Sequence, residues 1–126
     1  MRTYIDSDVL IWHLRGQSKA SNFFSNLSDQ GTELWIGALQ RAEVVFFMRP
    51  EEVAPTMQFL SKFKTATVTS DIVDAAAALY RKWNPSDGID INDALLAATV
   101  MNTGGRIYTL NMKHYPMPDL VIVRAW

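Results

Sequence analysis

Residues 3–11 read Thr3-Tyr4-Ile5-Asp6-Ser7-Asp8-Val9-Leu10-Ile11: an apolar run, three short polar side chains, then a second apolar run. Thr3-Tyr4-Ile5 has the composition of a buried strand. Asp6, Ser7 and Asp8 carry side-chain oxygens that can accept from the free N–H groups at a helix start, so a helix is expected from Val9 to Leu14, stopped by Gly16. A strand that runs directly into a helix, repeated along a chain, predicts a parallel α/β sheet.

The repetition is present. A second amphipathic helix is expected around Ala20 to Leu27, with Phe23, Phe24 and Leu27 on one face, and Leu34-Trp35-Ile36 is the next strand. Ala38 to Met48 is helical by pattern, with Leu39, Ala42, Val45 and Phe46 as its apolar stripe. Pro50, Glu51 and Glu52 suit the positive end of another helix. Ala66-Thr67-Val68 is the expected third strand. Ser70 then caps a helix whose buried face is Ile72, Ala76, Leu79, Tyr80 and Trp83, and Asn84-Pro85 should stop it. After a turn at residues 85–88, a helix is expected from Asn92 to Met101, ended by Gly104-Gly105. Arg106 to Thr109 and Leu120 to Val123 complete a sheet of about five parallel strands flanked by helices.

With 126 residues, the chain is expected to form one domain over residues 1–126, with enough core to fold unaided. It contains no cysteine, which excludes disulfides, thiolate metal sites and a thiol nucleophile. Twelve basic against thirteen acidic residues leave a net charge of −1, and no run of Lys and Arg offers a polybasic clamp for nucleic acid. The longest uncharged apolar stretch, near Ala94 to Met101, is too short to span a bilayer, and Asp6 and Asp8 interrupt any N-terminal leader. A soluble, cytoplasmic protein without a membrane partner is expected.

Most of the acids have structural explanations. Asp71, Asp74, Glu51 and Glu52 lie in first turns of helices, where the macrodipole favours them, and Asp29, Asp87 and Asp119 lie in turns. Glu43 does not fit this scheme. Its helical neighbours are Leu39, Gln40, Phe46 and Phe47, so no cation three or four residues away can pair with it. Asp93 opens a helix with no other charge before Arg106, among Ile89, Asp90, Leu96 and Ala97, although a helix-start acid is an adequate structural reading for it and for Asp90. Asp6 ends the first strand, where ligand sites of open parallel sheets collect. Thr109-Leu110-Asn111 reaches the same edge if the fourth strand neighbours the first. Carboxylates gathered without cations raise one another's pKa, and a divalent ion relieves this. All-oxygen donors without Cys or His favour Mg²⁺ or Mn²⁺ over zinc.

The order Tyr4-Ile-Asp6-Ser-Asp8-Val-Leu-Ile11, Ala42-Glu43, Asn92-Asp93-Ala-Leu-Leu-Ala-Ala-Thr99, Thr109-Leu-Asn111-Met-Lys113-His-Tyr115 resembles the PIN-domain family, and within it the VapC toxins of prokaryotic VapBC toxin–antitoxin modules. The resemblance runs from the first strand to the last. It implies a Mg²⁺-dependent endoribonuclease that cuts a structured RNA and leaves a 5′-phosphate. Asp6, Glu43 and Asp93 match the family's three acidic active-site positions, and Asn111 matches a fourth that is Asp or Asn. Asp6 and Asp93 are then the metal ligands, and Glu43 completes the outer shell or positions water. Asp8, Asp90 and Thr109 are auxiliary candidates, and Ser7 and Thr109 can donate hydroxyls to the carboxylates. A VapB-type antitoxin and a homodimer are the implied protein partners.

Some residues are read conservatively. His13 and His114 are expected to be packing or surface residues, neither of them the base. Trp12, Trp35, Phe46 and Phe47 are expected in the core or an interface. Arg15, Lys19, Arg41, Arg49 and Lys113 are candidates for phosphate contacts. Two rival functions remain. A receiver-like phosphoacceptor needs an acid just after the third strand, where Thr69-Ser70-Asp71 reads as a helix cap. A catalytically weak or inactive module that binds RNA or protein is the other, because Asn111 brings no charge.

Overall fold

The computed structural model describes residues 1–126. The elements in chain order are β1 (Thr3–Ile5), α1 (Ser7–Leu14), α2 (Ser18–Asp29), β2 (Leu34–Gly37), α3 (Ala38–Val45), α4 (Val53–Leu60), β3 (Lys64–Ala66), α5 (Ser70–Asp87), α6 (Ile91–Thr103), β4 (Arg106–Thr109) and β5 (Val121–Arg124). The five strands form one sheet in the order β3-β2-β1-β4-β5, and every neighbouring pair is parallel. Strand order reverses at β1, with Thr3 opposite Leu34 on one side and Arg106 on the other. The α/β class and the strand count agree with the sequence expectation.

Successive residues of β1 point to opposite faces, and each face has its own core. Tyr4 joins Ile107, Leu96, Ala97 and Val100 under α5 and α6. Ile5 joins Val9, Leu10, Phe24, Ile36 and Leu60 under α1, α2 and α4. Tyr4 and Ile5 are both fully buried, which stabilises the strand by roughly 1.5–3 kcal/mol per side chain. This anchoring at the switch point holds the next residue, Asp6, at the carboxyl edge of the sheet. No helix is long and apolar enough to cross a membrane.

Four local expectations are corrected. β3 spans Lys64–Ala66, two residues earlier than the apolar run suggested, because it pairs with β2 as far as Gly37 and no further. It is an edge strand, and Lys64 and Thr65 are exposed there, so its sequence is polar. α3 ends at Val45, and its buried residues are Gln40 and Val44, whereas Phe46 is exposed. The Gln40 amide donates to the Asn92 carbonyl at 3.4 Å, which turns that face of α3 toward the start of α6. α5 is capped by Thr69, whose Oγ1 accepts from the Ile72 N–H at 3.3 Å, with Ser70 as its first helical residue. α5 also runs through Pro85 to Asp87. Pro85 forfeits one backbone bond, and the helix closes at Gly88 in the left-handed conformation, its N–H on the Asn84 carbonyl at 2.9 Å.

Gly37 joins β2 to α3 under a close approach: a Cβ there would collide with the Gln40 side-chain amide. Gly37→Ala is therefore expected to destabilise by about 1–3 kcal/mol through overpacking, measured as a lower denaturant midpoint at unchanged m-value.

Candidate active site

Asp6 follows β1 and is the N-cap of α1, so one residue both ends a strand and starts a helix. Its Oδ1 accepts the Ser7 N–H at 2.8 Å. Its Oδ2 accepts two hydroxyls, Thr109 at 3.0 Å and Tyr115 at 2.8 Å. Because β4 lies beside β1, Thr109 arrives at the same edge and also faces Asp8 Oδ2 at 3.3 Å, an oxygen that takes the Leu110 N–H at 3.0 Å. The auxiliary candidate Thr109 thus meets Asp6 directly, and Asp8 is linked to Asp6 through it.

Glu43 and Asp93 come from the other side of the crevice. Glu43 is half-buried on α3, and its two oxygens accept from Ser7 Oγ at 3.1 Å and Asn92 Nδ2 at 3.2 Å. Asp93 is buried in the first turn of α6, where it and Asp90 form a reciprocal capping box. The Asp93 N–H donates to Asp90 Oδ1 at 2.7 Å, and the Asp90 N–H donates to Asp93 Oδ2 at 3.1 Å. The structural reading of Asp90 and Asp93 as helix-start acids is therefore correct as far as it goes. Asp93 Oδ2 also faces His114 Nδ1 at 3.3 Å, and His114 Nε2 faces Asn111 Nδ2 at 3.0 Å. With Nδ1–H donating to the carboxylate and Nε2 accepting from the amide, a neutral His114 satisfies both contacts. Asn111 itself turns to His114, not to an acid.

The electrostatics follow from burial and crowding. Burial pushes the Asp6 carboxyl up to about 6, and the charge of Asp8 adds to the effect against the opposing hydrogen bonds. Asp93 is pushed up to about 7, again by burial first, with the charges of Asp90 and Asp6 contributing. Glu43 is raised by burial and by Asp90 and Asp8. Burial and the same acids hold the Tyr115 hydroxyl well above its ordinary value, so it stays a donor. No Lys or Arg forms an ion pair with any of these five carboxylates: the ion pairs are Arg49–Glu52, Lys64–Glu33 and His114–Asp93.

That all-oxygen donor set, without Lys or Arg partners, has the chemistry to hold a hard divalent cation, and Asp6 and Asp93 are its two buried acids. The cage is not preformed. No three of the acids and histidines stand in a metal-holding arrangement, and the carboxylate oxygens face Tyr115, Thr109, Ser7, Asn92 and His114. A cavity of about 290 Å³ opens beside Glu43, lined by Ile11, Arg15 and Phe47 among others.

The family model for the PIN domain matches residues 3–115, which include all of these side chains. The chain belongs to the PIN-domain family. Ribonuclease VapC19 of Mycobacterium tuberculosis is 35% identical over 118 residues, covering 92% of this chain and 94% of that protein. Two solved structures share the fold. A toxin–antitoxin complex from Klebsiella pneumoniae superimposes with a TM-score of 0.80 at 21% identity, and VapBC2 from Rickettsia felis, bound to a DNA fragment from the promoter, with 0.81 at 17%. Each alignment covers 98% of both chains.

In this PIN domain, sequence reasoning missed three residues of the cluster. Asn92 and Tyr115 stand in the sequence only as parts of the resemblance motifs, and His114, expected to be a packing or surface residue, touches both Asp93 and Asn111. The Asn111-x-x-His114 spacing was the available signal for the last, since a 3₁₀ turn at Met112–His114 folds the chain back on itself. His13 is a packing residue, stacked on Phe59 at 4.3 Å and edge-on to Phe24 at 5.2 Å. Phe46 and Phe47 are not core: they are 79% and 82% exposed, and Phe47 lines the cavity beside Glu43. Among the proposed phosphate contacts, Arg15 lines that cavity, whereas Arg41 reaches Thr65 and Arg49 reaches Glu52. No acid follows β3 before Asp71 inside α5, so the receiver-like alternative lacks its acceptor.

Proposed function

We propose that this chain is a metal-dependent endoribonuclease of the VapC type, the toxin of a toxin–antitoxin pair, with Asp6, Glu43, Asp93 and Asn111 as its active-site residues. The observation that carries the reading is the meeting of Asp6, Glu43 and Asp93, with Asp8 and Asp90, at one crevice that no Lys or Arg neutralises. The similarity to a protein named as a ribonuclease supports it.

Asp6 and Asp93 would hold Mg²⁺ or Mn²⁺. Such an ion would supply a coordinated water of lowered pKa and positive charge opposite the scissile phosphate. Glu43, fixed at both oxygens by Ser7 and Asn92 and raised in pKa, is suited to orient the attacking water and accept its proton. His114 holds Asn111 near Asp93, where the amide orients without adding charge. Arg15, on the cavity beside Glu43, is placed to meet an RNA phosphate. Attack by water at phosphorus with breakage of the P–O3′ bond would leave a 3′-hydroxyl on the upstream fragment and the 5′-phosphate on the downstream one. Specificity for a structured RNA would lie in surface shape, and the enzyme would act in the cytoplasm.

A VapB-type antitoxin is the proposed partner, supported by the toxin–antitoxin and VapBC complexes that share the fold. The exposed Phe46 and Phe47 give it apolar surface beside the acids, and the protein is proposed to act as a homodimer. One observation favours the rival binding-only module: Asn111 brings an amide that is already engaged by His114.

The purified protein is expected to cut total RNA with Mg²⁺, to stop on addition of EDTA and to stop in complex with its antitoxin. Equal cutting in EDTA refutes the metal dependence. RNA binding without cleavage at any Mg²⁺ concentration selects the binding-only module.

A further inference from the structure

We propose that Tyr115 positions Asp6: its hydroxyl, with that of Thr109, occupies carboxylate oxygen Oδ2 and leaves Oδ1 as the oxygen available to a divalent cation. The inference rests on the metal-site reading above and specifies which atoms prepare it.

A carboxylate has about four lone-pair directions, two on each oxygen. Oδ2 of Asp6 accepts from Tyr115 at 2.8 Å and from Thr109 at 3.0 Å, so both of its directions are used. Oδ1 accepts a single bond, from the Ser7 N–H at 2.8 Å, and keeps one free. The three donors come from the start of α1, the end of β4 and the segment after the 3₁₀ turn, so the carboxylate is tied from three elements and cannot rotate without losing a bond.

Tyr115 is well suited to this role. Its ring is buried with Met117, Ile107 and the α6 residues of one core cluster, which fixes the hydroxyl independently of Asp6. The hydroxyl donates to Asp6 Oδ2 at 2.8 Å, so its direction is set by the ring that carries it. Phenylalanine at this position keeps the buried ring and removes only the atom that touches Asp6. Outer partners that orient a metal-binding side chain in this way typically contribute ten- to a hundredfold in metal affinity.

The test is calorimetric titration of Mn²⁺ into wild type, Tyr115→Phe, Thr109→Val and Tyr4→Phe, with thermal unfolding of each in divalent-free buffer. Tyr4→Phe is the structural control. It also loses a buried hydroxyl, which bonds Thr103 at 2.9 Å and Arg2 at 3.0 Å and touches no acid. Tyr115→Phe and Thr109→Val are each expected to bind Mn²⁺ about tenfold or more weakly, with Tyr4→Phe unchanged, and raised Mg²⁺ is expected to restore RNA cleavage by Tyr115→Phe. An unchanged Mn²⁺ affinity in Tyr115→Phe, beside a wild type that binds, overturns the positioning role alone. A wild type that takes up no Mn²⁺ overturns the metal-site reading beneath it.

Discussion

Asp6→Asn is expected to abolish RNA cleavage and, in metal-free buffer at pH 8, to make the protein harder to unfold. The first effect follows from removing a negative ligand: the charge stabilisation that a bound ion supplies is worth several kcal/mol, so a loss of at least about a hundredfold in rate is expected. The second follows from the environment of Asp6. It is 7% exposed, lies beside Asp8, and has its pKa pushed up by burial from the ordinary carboxylate value of 3.8 to about 6. Keeping it ionised in the fold at pH 8 costs about 3 kcal/mol by that shift. Asparagine removes the charge and keeps one oxygen for Tyr115 and Thr109, but turns an amide toward the Ser7 N–H, which returns about 1 kcal/mol. The net gain is about 2 kcal/mol at pH 8 and fades toward pH 4, where the wild-type carboxyl is protonated as well. Thermal unfolding at the two pH values, paired with a cleavage assay, measures both effects. A variant that cuts no RNA because it is unfolded would contradict this account.

Wild-type stability should respond to pH in the direction opposite to ordinary carboxylate proteins. Asp6 and Asp93 have folded pKa values near 6 and 7, above the unfolded value, so between about pH 4 and 7 the native state binds more protons than the unfolded state. Stability contributed by these groups is then present at low pH and lost as pH rises through that window, by up to about 2.5 kcal/mol per pH unit at its steepest, near pH 5. The half-buried Glu43, also raised, acts in the same sense. Divalent ions reverse the trend, because they bind the ionised carboxylates: Mg²⁺ at about a hundred times its dissociation constant adds about 2.7 kcal/mol. Denaturant titrations at pH 5 and 7.5, with and without Mg²⁺, check this. Subtracting the same data for an Asp6→Asn, Asp93→Asn double variant isolates these two groups from the other carboxylates. A wild type whose metal-free stability rises with pH relative to that variant contradicts the assignment.

The β1–α1 junction was legible in the sequence because two strong local signals coincide there, a buried apolar triplet and a run of capping side chains. Where a tertiary partner decides, local pattern misled. β3 is polar because it is an edge strand stopped by the length of β2. α3 buries Gln40 because its amide has a carbonyl to reach on Asn92, and no hydrophobic pattern contains that information. The candidate site divides in the same way. Glu43 and Asp93 stand out because helical spacing gives them no cation, and Asp6 because it ends the first strand, and the structure supplies hydroxyl, amide and imidazole partners instead. These partnerships arise from packing between elements. Tyr115 acts through one oxygen at the end of a core ring, Asn92 reaches Glu43 only once α6 packs against α3, and His114 reaches Asp93 only once the turn after β4 packs against α6.

The central claim is that this crevice, through Asp6 and Asp93, carries out RNA hydrolysis. The most direct test is to incubate wild type, Asp6→Asn and Asp93→Asn with the same total RNA and Mg²⁺, and to map new 5′-phosphate ends by sequencing. Discrete new ends with wild type, and none above background with either folded variant, is the predicted result. New ends at the same sites and in the same amounts with both variants would place the chemistry elsewhere.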